Sequence, residues 1–433
     1  MPQNSKESLD KLKEEICRFY LNHKTKCDTH YNNAESKDIG KIYENVTDDI
    51  SIQNLFSRVA IVVLTANKYE KNILHHYIFH SQKTKLKKIE IELFPQKISK
   101  EETYAYWFKW HDYVVLHIEA QKTGSYTMGG SADIVRYVVE NKYIIPMAFI
   151  SFGICFGTNE GKYSIGDVII SKKIYPYFVG AKINDSGYFV SDDNMFTVNS
   201  KLSAKIKSAM DQNVFKALNN DVFFDNYITG EAVVSNKRAR DEFVKITKQE
   251  IIAGEMEGYG LFKECNGSSF SIPCLIIKSI CDWAVIKNFD TKSIFAKLSI
   301  ENKSVTMQEQ VSLKDRLQAY AAFQAYSVLN ILFSKHIFEN SIYKQIIDYI
   351  KNVHGRVVLG NSIVKETQIA VNKCIKTQIV CDDFVNSIIM NLINDKVITG
   401  EDCNFSMNAS DIKDEMSKHS FLINKKTVVS SEV

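Results

Sequence analysis

The stretch Val59-Ala60-Ile61-Val62-Val63-Leu64 is a continuous apolar run that is rich in β-branched side chains. A strand with one face in water alternates apolar and polar residues, whereas an unbroken apolar run is typical of a strand buried on both faces. Such strands belong to sheets that carry helices on both sides. The run therefore predicts an internal strand of an α/β sheet.

Similar apolar runs recur along the chain, so we expect further strands beside this one. Further apolar runs cover residues 113–118, 146–150, 167–170 and 274–277. Helical patterns lie between several of them, as at 131–140, and a helical pattern at 316–333 closes the unit. Strands that alternate with helices predict an α/β domain over residues 56–336, with a central twisted mixed sheet flanked by helices.

Residues 1–55 form a polar segment, rich in Lys, Glu and Asn, ahead of this domain. One apolar stripe at helical spacing runs through it, made of Leu9, Leu12, Ile16 and Phe19. We expect an N-terminal helical extension that docks on another surface. The alternative is a solvated tail with one packed helix.

Residues 337–433 have a different pattern of apolar residues from the domain before them. Apolar residues line two helical stretches, and the segment 397–402 is typical of a hairpin. This combination predicts a small helical, winged-helix-like module. Its basic and acidic residues are nearly balanced, so the sequence does not have the basic stripe that DNA binding normally needs. We expect a regulatory or protein-contact module rather than a nucleic-acid-binding one.

The bulk composition is that of an ordinary globular protein. The 433 residues are 45% hydrophobic and 24% charged, and the formal net charge of +3 favours neither nucleic acid nor membrane as a partner. Nine cysteines show no C-x-x-C pair, which is typical of a reduced, cytoplasmic protein. The first residues are polar, and no uncharged apolar stretch is long enough to cross a bilayer.

Several acidic residues lie where strands of the predicted sheet end. Glu70 follows the first strand by a short loop, Asp282 follows the run at 274–277, and Glu257 lies at the start of a predicted helix. Open α/β sheets bind ligands outside the carboxyl ends of their strands. Crowded carboxylates raise each other's pKa, as a general acid working near neutral pH requires. The alternative is that each acid is a surface or helix-capping residue.

Five segments together resemble the nucleoside phosphorylase and nucleosidase superfamily. In order they are Ser151-Phe152-Gly153-Ile154-Cys155-Phe156-Gly157, Ile165-Gly166-Asp167-Val168-Ile169-Ile170, Thr229-Gly230-Glu231, Glu255-Met256-Glu257-Gly258 and Ile280-Cys281-Asp282-Trp283-Ala284. That superfamily includes purine nucleoside phosphorylases and methylthioadenosine/S-adenosylhomocysteine nucleosidases, and the resemblance covers residues 58–333. Its details are most similar to phosphorylase-like effector domains of bacterial anti-phage defence, some of which cleave the N-glycosidic bond of ATP.

The resemblance implies a role for each acid. Glu257 resembles the carboxylate that grips the ribose 2′- and 3′-hydroxyls, and Met256 the residue that packs against the sugar. Asp282 resembles the acid that protonates purine N7, and Glu70 the carboxylate that activates the attacking water. The ribose and base pocket would be completed by Glu255, Ile154, Cys155, Val233 and Val234. No metal or cofactor is required by this scheme, although Mg²⁺ would accompany a nucleoside triphosphate.

Three cationic residues bear on which substrate the protein binds. The loop after the first strand contains Lys68, where methylthioadenosine-type nucleosidases have an apolar residue, and Lys287 and Arg316 flank the segment 288–315. Cations bind phosphate oxygens, so these residues favour a 5′-phosphorylated purine nucleotide such as ATP. Each of them also fits a solvated surface charge. The loop at 122–128 has no Arg to bind inorganic phosphate, which favours hydrolysis over phosphorolysis.

Three functions therefore stay open at this stage. The first is a regulated adenine-nucleotide N-glycosidase, which we expect to be a homo-oligomer with a protein partner or activator acting through residues 1–55 or 337–433. The second is a methylthioadenosine/S-adenosylhomocysteine-type nucleosidase or a purine nucleoside phosphorylase. The third is a nucleotide-sensing regulator without turnover.

The sequence also departs from the family pattern in three places. Phe156 replaces a small residue in the glycine turn, and Cys281 stands where Ser is common before Asp282. The polar segment 288–315 is longer than in the relatives. It would be a lid or an oligomer contact, or else a variable surface loop.

Overall fold

The computed structural model describes most of the chain up to residue 338. The described residues are 3–47, 59–91, 103–111, 113–126, 128–140, 145–178, 181–184, 187–190, 195–267, 272–284, 294–295 and 305–338. The predicted C-terminal module therefore lies outside the described residues. The proposed domain boundaries at 55 and 336 remain predictions.

One eleven-stranded mixed sheet organises the described part of the chain. Its first half contains β1 (Tyr43–Asn45), β2 (Val59–Thr65), β3 (Leu86–Ile91), β4 (Thr103–Trp110) and β5 (Tyr113–Glu119). The opening apolar run forms β2, which pairs in parallel with β5 on one side and with β6 (Ile145–Gly157) on the other. The side chains of residues 60–64 are buried, as expected for an internal strand.

The second half of the sheet closes into a ring. It contains β6, β7 (Val168–Pro176), β10 (Phe196–Thr197), β11 (Val222–Thr229), β12 (Ala253–Glu255) and β13 (Cys274–Asp282), while β8 (Ala181–Asn184) and β9 (Gly187–Val190) form a separate hairpin. β6 pairs with β12, β12 with β11, β11 with β7, β7 with β13, and β13 with β6 again. The ring brings distant segments of the chain against the far end of β6.

Helices cover this sheet as the sequence predicts. They are α1 (Gln3–Ala34), α2 (Lys68–Gln82), α3 (Ser131–Glu140), α4 (Ser200–Asp211), α5 (Lys237–Thr247), α6 (Gly258–Gly267), α7 (Met307–Val311) and α8 (Leu313–Ser334). The predicted α/β fold with a central mixed sheet and an N-terminal helix is confirmed. Among the described residues, no helix is long and apolar enough to cross a membrane.

The N-terminal helix α1 packs into the same hydrophobic core as the sheet. It is kinked at His23, and its predicted stripe includes the buried Leu12 and Ile16. Tyr20 and Cys27 are buried with them. The helix contacts α2 and α8, so the surface on which it docks belongs to the α/β unit itself.

Two predicted elements differ in extent from the structure. The strand expected at 146–150 continues to Gly157, and the strand expected at 274–277 continues to Asp282. Asp282 is therefore the last residue of its strand and does not follow it across a loop. The segment 288–315 contains α7 and the start of α8 in its described portion.

Candidate functional site

Glu70 lies in the first turn of α2 and is held by three backbone amides. Asn67 caps this helix in a capping box with Glu70. The Glu70 carboxylate accepts hydrogen bonds from Ala66 N (2.6 Å) and Asn67 N (3.2 Å) through Oε2, and from Ile154 N (2.9 Å) through Oε1. A carboxylate has about four acceptor positions, so these bonds leave room for one more donor.

Gly153 explains how the carboxylate fits between α2 and β6. Its φ is +151°, and a Cβ built there would lie 2.0 Å from Glu70 Oε1. Only glycine allows this approach without displacing the carboxylate. The group that this glycine admits in the structure is the side chain of Glu70.

The environment of Glu70 shifts its proton affinity towards neutral pH. The residue is 1% exposed. Burial raises the pKa of Glu70 to about 7, the positive charge of Lys278 opposes this, and the negative charge of Glu257 adds to it. A carboxyl group with this pKa exchanges a proton readily under ordinary conditions.

Lys278 brings a buried positive charge among the acids. It lies in β13 and is 1% exposed. Its ammonium group forms an ion pair with Glu257 and lies 3.3 Å from Glu255 Oε2. Burial alone would lower the pKa of Lys278, but the charges of Glu257, Glu255 and Glu70 reverse the effect and raise it. The ammonium therefore stays charged because it is surrounded by carboxyl groups.

Sequence reasoning missed Lys278. It stands inside the apolar strand Cys274–Asp282, and a lysine is almost never fully buried unless it is paired. That rule was the available signal, because a lysine in an internal strand requires acidic partners.

Glu255 ends β12 and caps the backbone that leads into α6. Its carboxylate accepts from Glu257 N (2.8 Å) and from Gly258 N (2.9 and 3.0 Å). Burial raises the pKa of Glu255, Lys278 lowers it, and Glu257 raises it. These bonds give Glu255 a capping function, and its predicted contact with ribose or base remains a prediction.

Glu257 joins the acid cluster to the loop that follows β5. Its Oε1 accepts from Gly124 N at 3.3 Å, and its Oε2 accepts from Lys278. Its backbone carbonyl accepts from Ser131 Oγ (2.6 Å), and the carbonyl of Met256 accepts from Ser125 Oγ (2.9 Å). The segment around Met256 and Glu257 is thus fixed by the residues that precede and begin α3.

A second carboxylate accepts hydrogen bonds from the same loop. Glu231 accepts from Ser125 N at 3.0 and 3.1 Å and from Tyr126 N at 3.1 Å. Together with the bond from Gly124 N to Glu257, three consecutive amides of the loop bind carboxylates of the protein. Consecutive amides of this kind form an anion-binding concavity, and here its anions belong to the chain.

Asp282 ends β13 at an irregular point of the sheet. It pairs with Phe156 of β6 after a register shift at Cys281. Its Oδ1 accepts from Ala284 N (2.6 Å), and Cys281 Sγ lies 3.7 Å from its Oδ2. The residue is half-buried, and its backbone is fixed by the pairing of β13 with β6.

The remaining predicted pocket residues lie close to these segments in the chain. Ile154 donates its amide to Glu70, and Cys155 is buried beside it in β6. Val233 is 49% exposed and Val234 is half-buried, two and three residues after Glu231. Contacts of these four residues with a ribose or a base remain predictions. Phe156, which replaces a small residue of the family pattern, occupies the space above Gly254, where an added Cβ would lie 2.1 Å from its ring.

Two of the residues predicted to bind phosphate pair with acidic residues of the N-terminal segment. Lys68 is paired with Glu35, the residue that follows α1, at 2.7 Å. Arg316 is buried against Asp28 and lies 4.5 Å from the ring of Tyr31, and Lys287 lies outside the described residues. Phosphate binding by these residues remains a prediction. In the described part of the chain, no group of three or more His, Cys, Asp or Glu side chains is arranged to hold a metal ion.

Comparison with known proteins gives similarity in three-dimensional structure alone. No protein-family model matches the sequence, and no curated protein sequence matches it. The 5′-methylthioadenosine/S-adenosylhomocysteine nucleosidase of Neisseria meningitidis, in complex with methylthio-immucillin-A, is 17% identical with a TM-score of 0.45, over 64% of this chain and 100% of that one. A putative nucleosidase of the same type from Borrelia burgdorferi, bound to adenine, is 21% identical with a TM-score of 0.45, over 64% and 99%. Futalosine hydrolase of Helicobacter pylori is 15% identical with a TM-score of 0.44, over 64% and 98%. At these identities and TM-scores we transfer no activity, substrate or residue role to this chain.

Proposed function

We propose that the protein hydrolyses the N-glycosidic bond of an adenine nucleotide, with ATP as substrate and adenine and ribose 5′-triphosphate as products. The observation that supports it most is the environment of Glu70. This carboxyl group is buried, held by three amides, and has a pKa of about 7 beside the Lys278 cluster. A base with these properties is suited to removing a proton from water near neutral pH.

Asp282 acts on the leaving group. Cleavage of the bond between C1′ and N9 leaves its electron pair on the purine, so protonation of N7 by Asp282 makes the base a better leaving group. The bond from Ala284 N fixes one oxygen of this carboxyl group and leaves the other beside Cys281. General acid catalysis of this type contributes about 10²–10⁴-fold.

The charge cluster suits the other half of the transition state. Positive charge develops on the ribose as the bond breaks, and Glu257 is the carboxylate assigned to the sugar. Three carboxyl groups surround one ammonium here, those of Glu70, Glu255 and Glu257 around Lys278. The excess of acidic groups favours a developing cation, because preorganised charges act strongly in a water-excluded site. Water activated by Glu70 then adds at C1′.

Hydrolysis is favoured over phosphorolysis by the loop that follows β5. Inorganic phosphate needs backbone amides or cations, and the amides of residues 124–126 are bound to Glu257 and Glu231. An incoming phosphate would meet two carboxylates instead of free donors. This occupancy supports water as the acceptor.

The choice of ATP rests on sequence. It is supported by the loop residue Lys68 and the flanking cations Lys287 and Arg316. In the structure Lys68 contacts Glu35, directly after α1, and Arg316 contacts Asp28 of α1. A regulated, anti-phage effector role rests on the resemblance to such effectors and on the additional residues 1–55 and 337–433. The substrate is therefore the part of the proposal that a direct assay must decide.

Chromatography of a substrate panel tests the proposal. The full chain would be incubated with ATP, AMP, adenosine and methylthioadenosine, each with and without inorganic phosphate. We expect adenine from ATP without phosphate, and loss of this product in Asp282→Asn, while Asp211→Asn on the exposed end of α4 retains it. Release of adenine from methylthioadenosine and from no other compound of the panel would rule out ATP as the substrate. A requirement for phosphate would make the protein a phosphorylase, and nucleotide binding without turnover would make it a sensor.

A further inference from the structure

Arg240 is a buried cation that reaches the site from α5. Its side chain is 1% exposed. Its Nη1 donates to the carbonyl of Trp283 at 3.2 Å and lies 3.5 Å from the carbonyl of Gly157. Trp283 directly follows the last residue of β13, and Gly157 is the last residue of β6. One guanidinium therefore contacts the ends of both strands.

The charge of Arg240 is balanced on its other side. Nη2 lies 3.2 Å from Glu160 Oε2, and Nε donates to Asp241 Oδ1 at 2.8 Å. Lys237 joins both carboxylates, at 2.7 Å from Glu160 and 3.4 Å from Asp241. A buried charge is costly unless it is paired, and this ring of four charges allows the guanidinium to remain inside. The planar fork of arginine is what lets it bind carboxylates and carbonyls at once.

The Trp283 carbonyl belongs to the turn that holds Asp282. Within this turn Ala284 N donates to Asp282 Oδ1 at 2.6 Å, and Ala284 has a φ of +62°. A non-glycine residue adopts this conformation only where its surroundings enforce it. The indole of Trp283 packs against Gly157, where an added Cβ would lie 2.2 Å from the ring. Among the described residues, Arg240 and Gly157 both contact Trp283 and so help to hold the turn.

We propose that Arg240 is a positioning residue, which fixes the orientation of the Asp282 carboxyl group by anchoring the Trp283 carbonyl within the strained turn. It acts through Trp283 and not on the substrate. The inference rests on the proposed function, because Asp282 must act as the acid for its orientation to affect the rate. Loss of the guanidinium then affects the chemical step more than substrate binding.

The test combines three variants with chemical rescue. In Arg240→Ala we expect kcat for adenine release to fall about 10- to 100-fold, the cost of a small misplacement of a catalytic group, with KM changed much less. Added guanidinium at millimolar concentration should restore kcat in this variant and leave the wild type unchanged. Arg240→Lys keeps the charge but not the fork and should stay impaired, while Arg238→Ala, exposed on the same helix, should behave as wild type.

Each other result contradicts the inference. Thermal unfolding identifies folded variants, and a folded Arg240→Ala or Arg240→Lys with normal kcat would overturn it. So would a change confined to KM, or a lowered kcat that guanidinium does not restore. If Arg240→Ala does not fold, the folded Arg240→Lys carries the kcat and KM comparison. A wild-type protein that releases no adenine would instead reject the proposed function.

Discussion

At the scale of single residues, the surroundings of Glu70 suit the role of base that we propose for it. Three amides fix its two oxygens, and Gly153 gives the space in which they lie. Burial raises its pKa to about 7, although Lys278 opposes the shift. Burial disfavours the ionised form of Glu70 and so raises its pKa. A pKa near 7 is suited to a base that activates water near neutral pH.

The pH dependence of the reaction follows from this value. Glu70 accepts a proton only when ionised, so kcat/KM for adenine release should fall as the pH drops below about 7. A pH–rate profile measures this. Glu70→Gln should lower the rate about 10²–10⁴-fold at every pH, and Glu242→Gln, exposed on α5, should keep the wild-type profile. A rate independent of pH between about 6 and about 8, one unit on either side of the pKa, would contradict the role of Glu70.

Gly153 gives a second prediction at this scale. In Gly153→Ala the new methyl group collides with Glu70 Oε1, so the carboxylate must move and activity should fall by at least about 100-fold. Gly267→Ala is the matched control, because no atom lies within 4 Å of its added Cβ. Adenine release by the two purified variants measures the difference, and equal activity would exclude the packing argument.

At the scale of elements, buried histidines join α2 to the sheet. His75 of α2 lies 3.0 Å from His117 of β5, which lies 3.0 Å from Thr65 Oγ1 at the end of β2. The other ring nitrogen of His75 lies 2.8 Å from the hydroxyl of Tyr43. Burial lowers the pKa of His117 to about 3, with a further lowering by Lys71, so this chain of hydrogen bonds requires neutral rings.

Acid should therefore destabilise this interface. Because the folded pKa of His117 is below the unfolded value of 6.5, its contribution is complete above pH 6.5 and is lost as the pH falls towards 3. The free energy of unfolding should decrease by at most about 1.4 kcal/mol per pH unit in this range for this one group. Denaturant titrations at several pH values should show that the free energy of unfolding of His117→Leu depends less steeply on pH. His80→Gln, exposed on α2, should keep the wild-type slope, and equal slopes for all three proteins would refute the assignment.

At the scale of the whole molecule, α1 and the residue that follows it are joined to the α/β unit by ion pairs, and α1 also by its apolar face. Asp28 binds Arg316 of α8, Lys24 binds Glu309 of α7 and Glu35 binds Lys68 of α2. Lys68 begins the helix that carries Glu70. The N-terminal segment is therefore part of the structure that supports the site.

Removing the carboxylate of Asp28 tests this connection. In Asp28→Ala the guanidinium of Arg316, with its side chain 8% exposed, loses its partner, and we expect unfolding to become easier by about 3 kcal/mol. Asp10→Ala on the same helix removes a side chain that is 56% exposed and should change stability by less than about 0.5 kcal/mol. Chemical denaturation of both variants compares them, and equal stability would mean that α1 is only loosely docked.

The sequence predicted the parts of this molecule that carry strong local patterns. Unbroken apolar runs identified β2, β5 and the start of β13, and helical spacing identified α3 and most of α8. The ring of strands could not be foreseen, because β12 has only three residues, Ala253–Glu255, and no apolar run. Its closure against β6 is a tertiary contact, and it brings Glu255 to Lys278.

In the mechanism that we propose, this chain breaks the bond between ribose and adenine, with water as the acceptor. The most direct measurement is the amount of adenine and ribose 5′-triphosphate formed from ATP by the full chain in phosphate-free buffer, beside Asp282→Asn. We predict equal amounts of both products from the wild type and a loss of at least about 100-fold in the variant. Absence of adenine from the wild type, or equal release by the variant, would contradict the account.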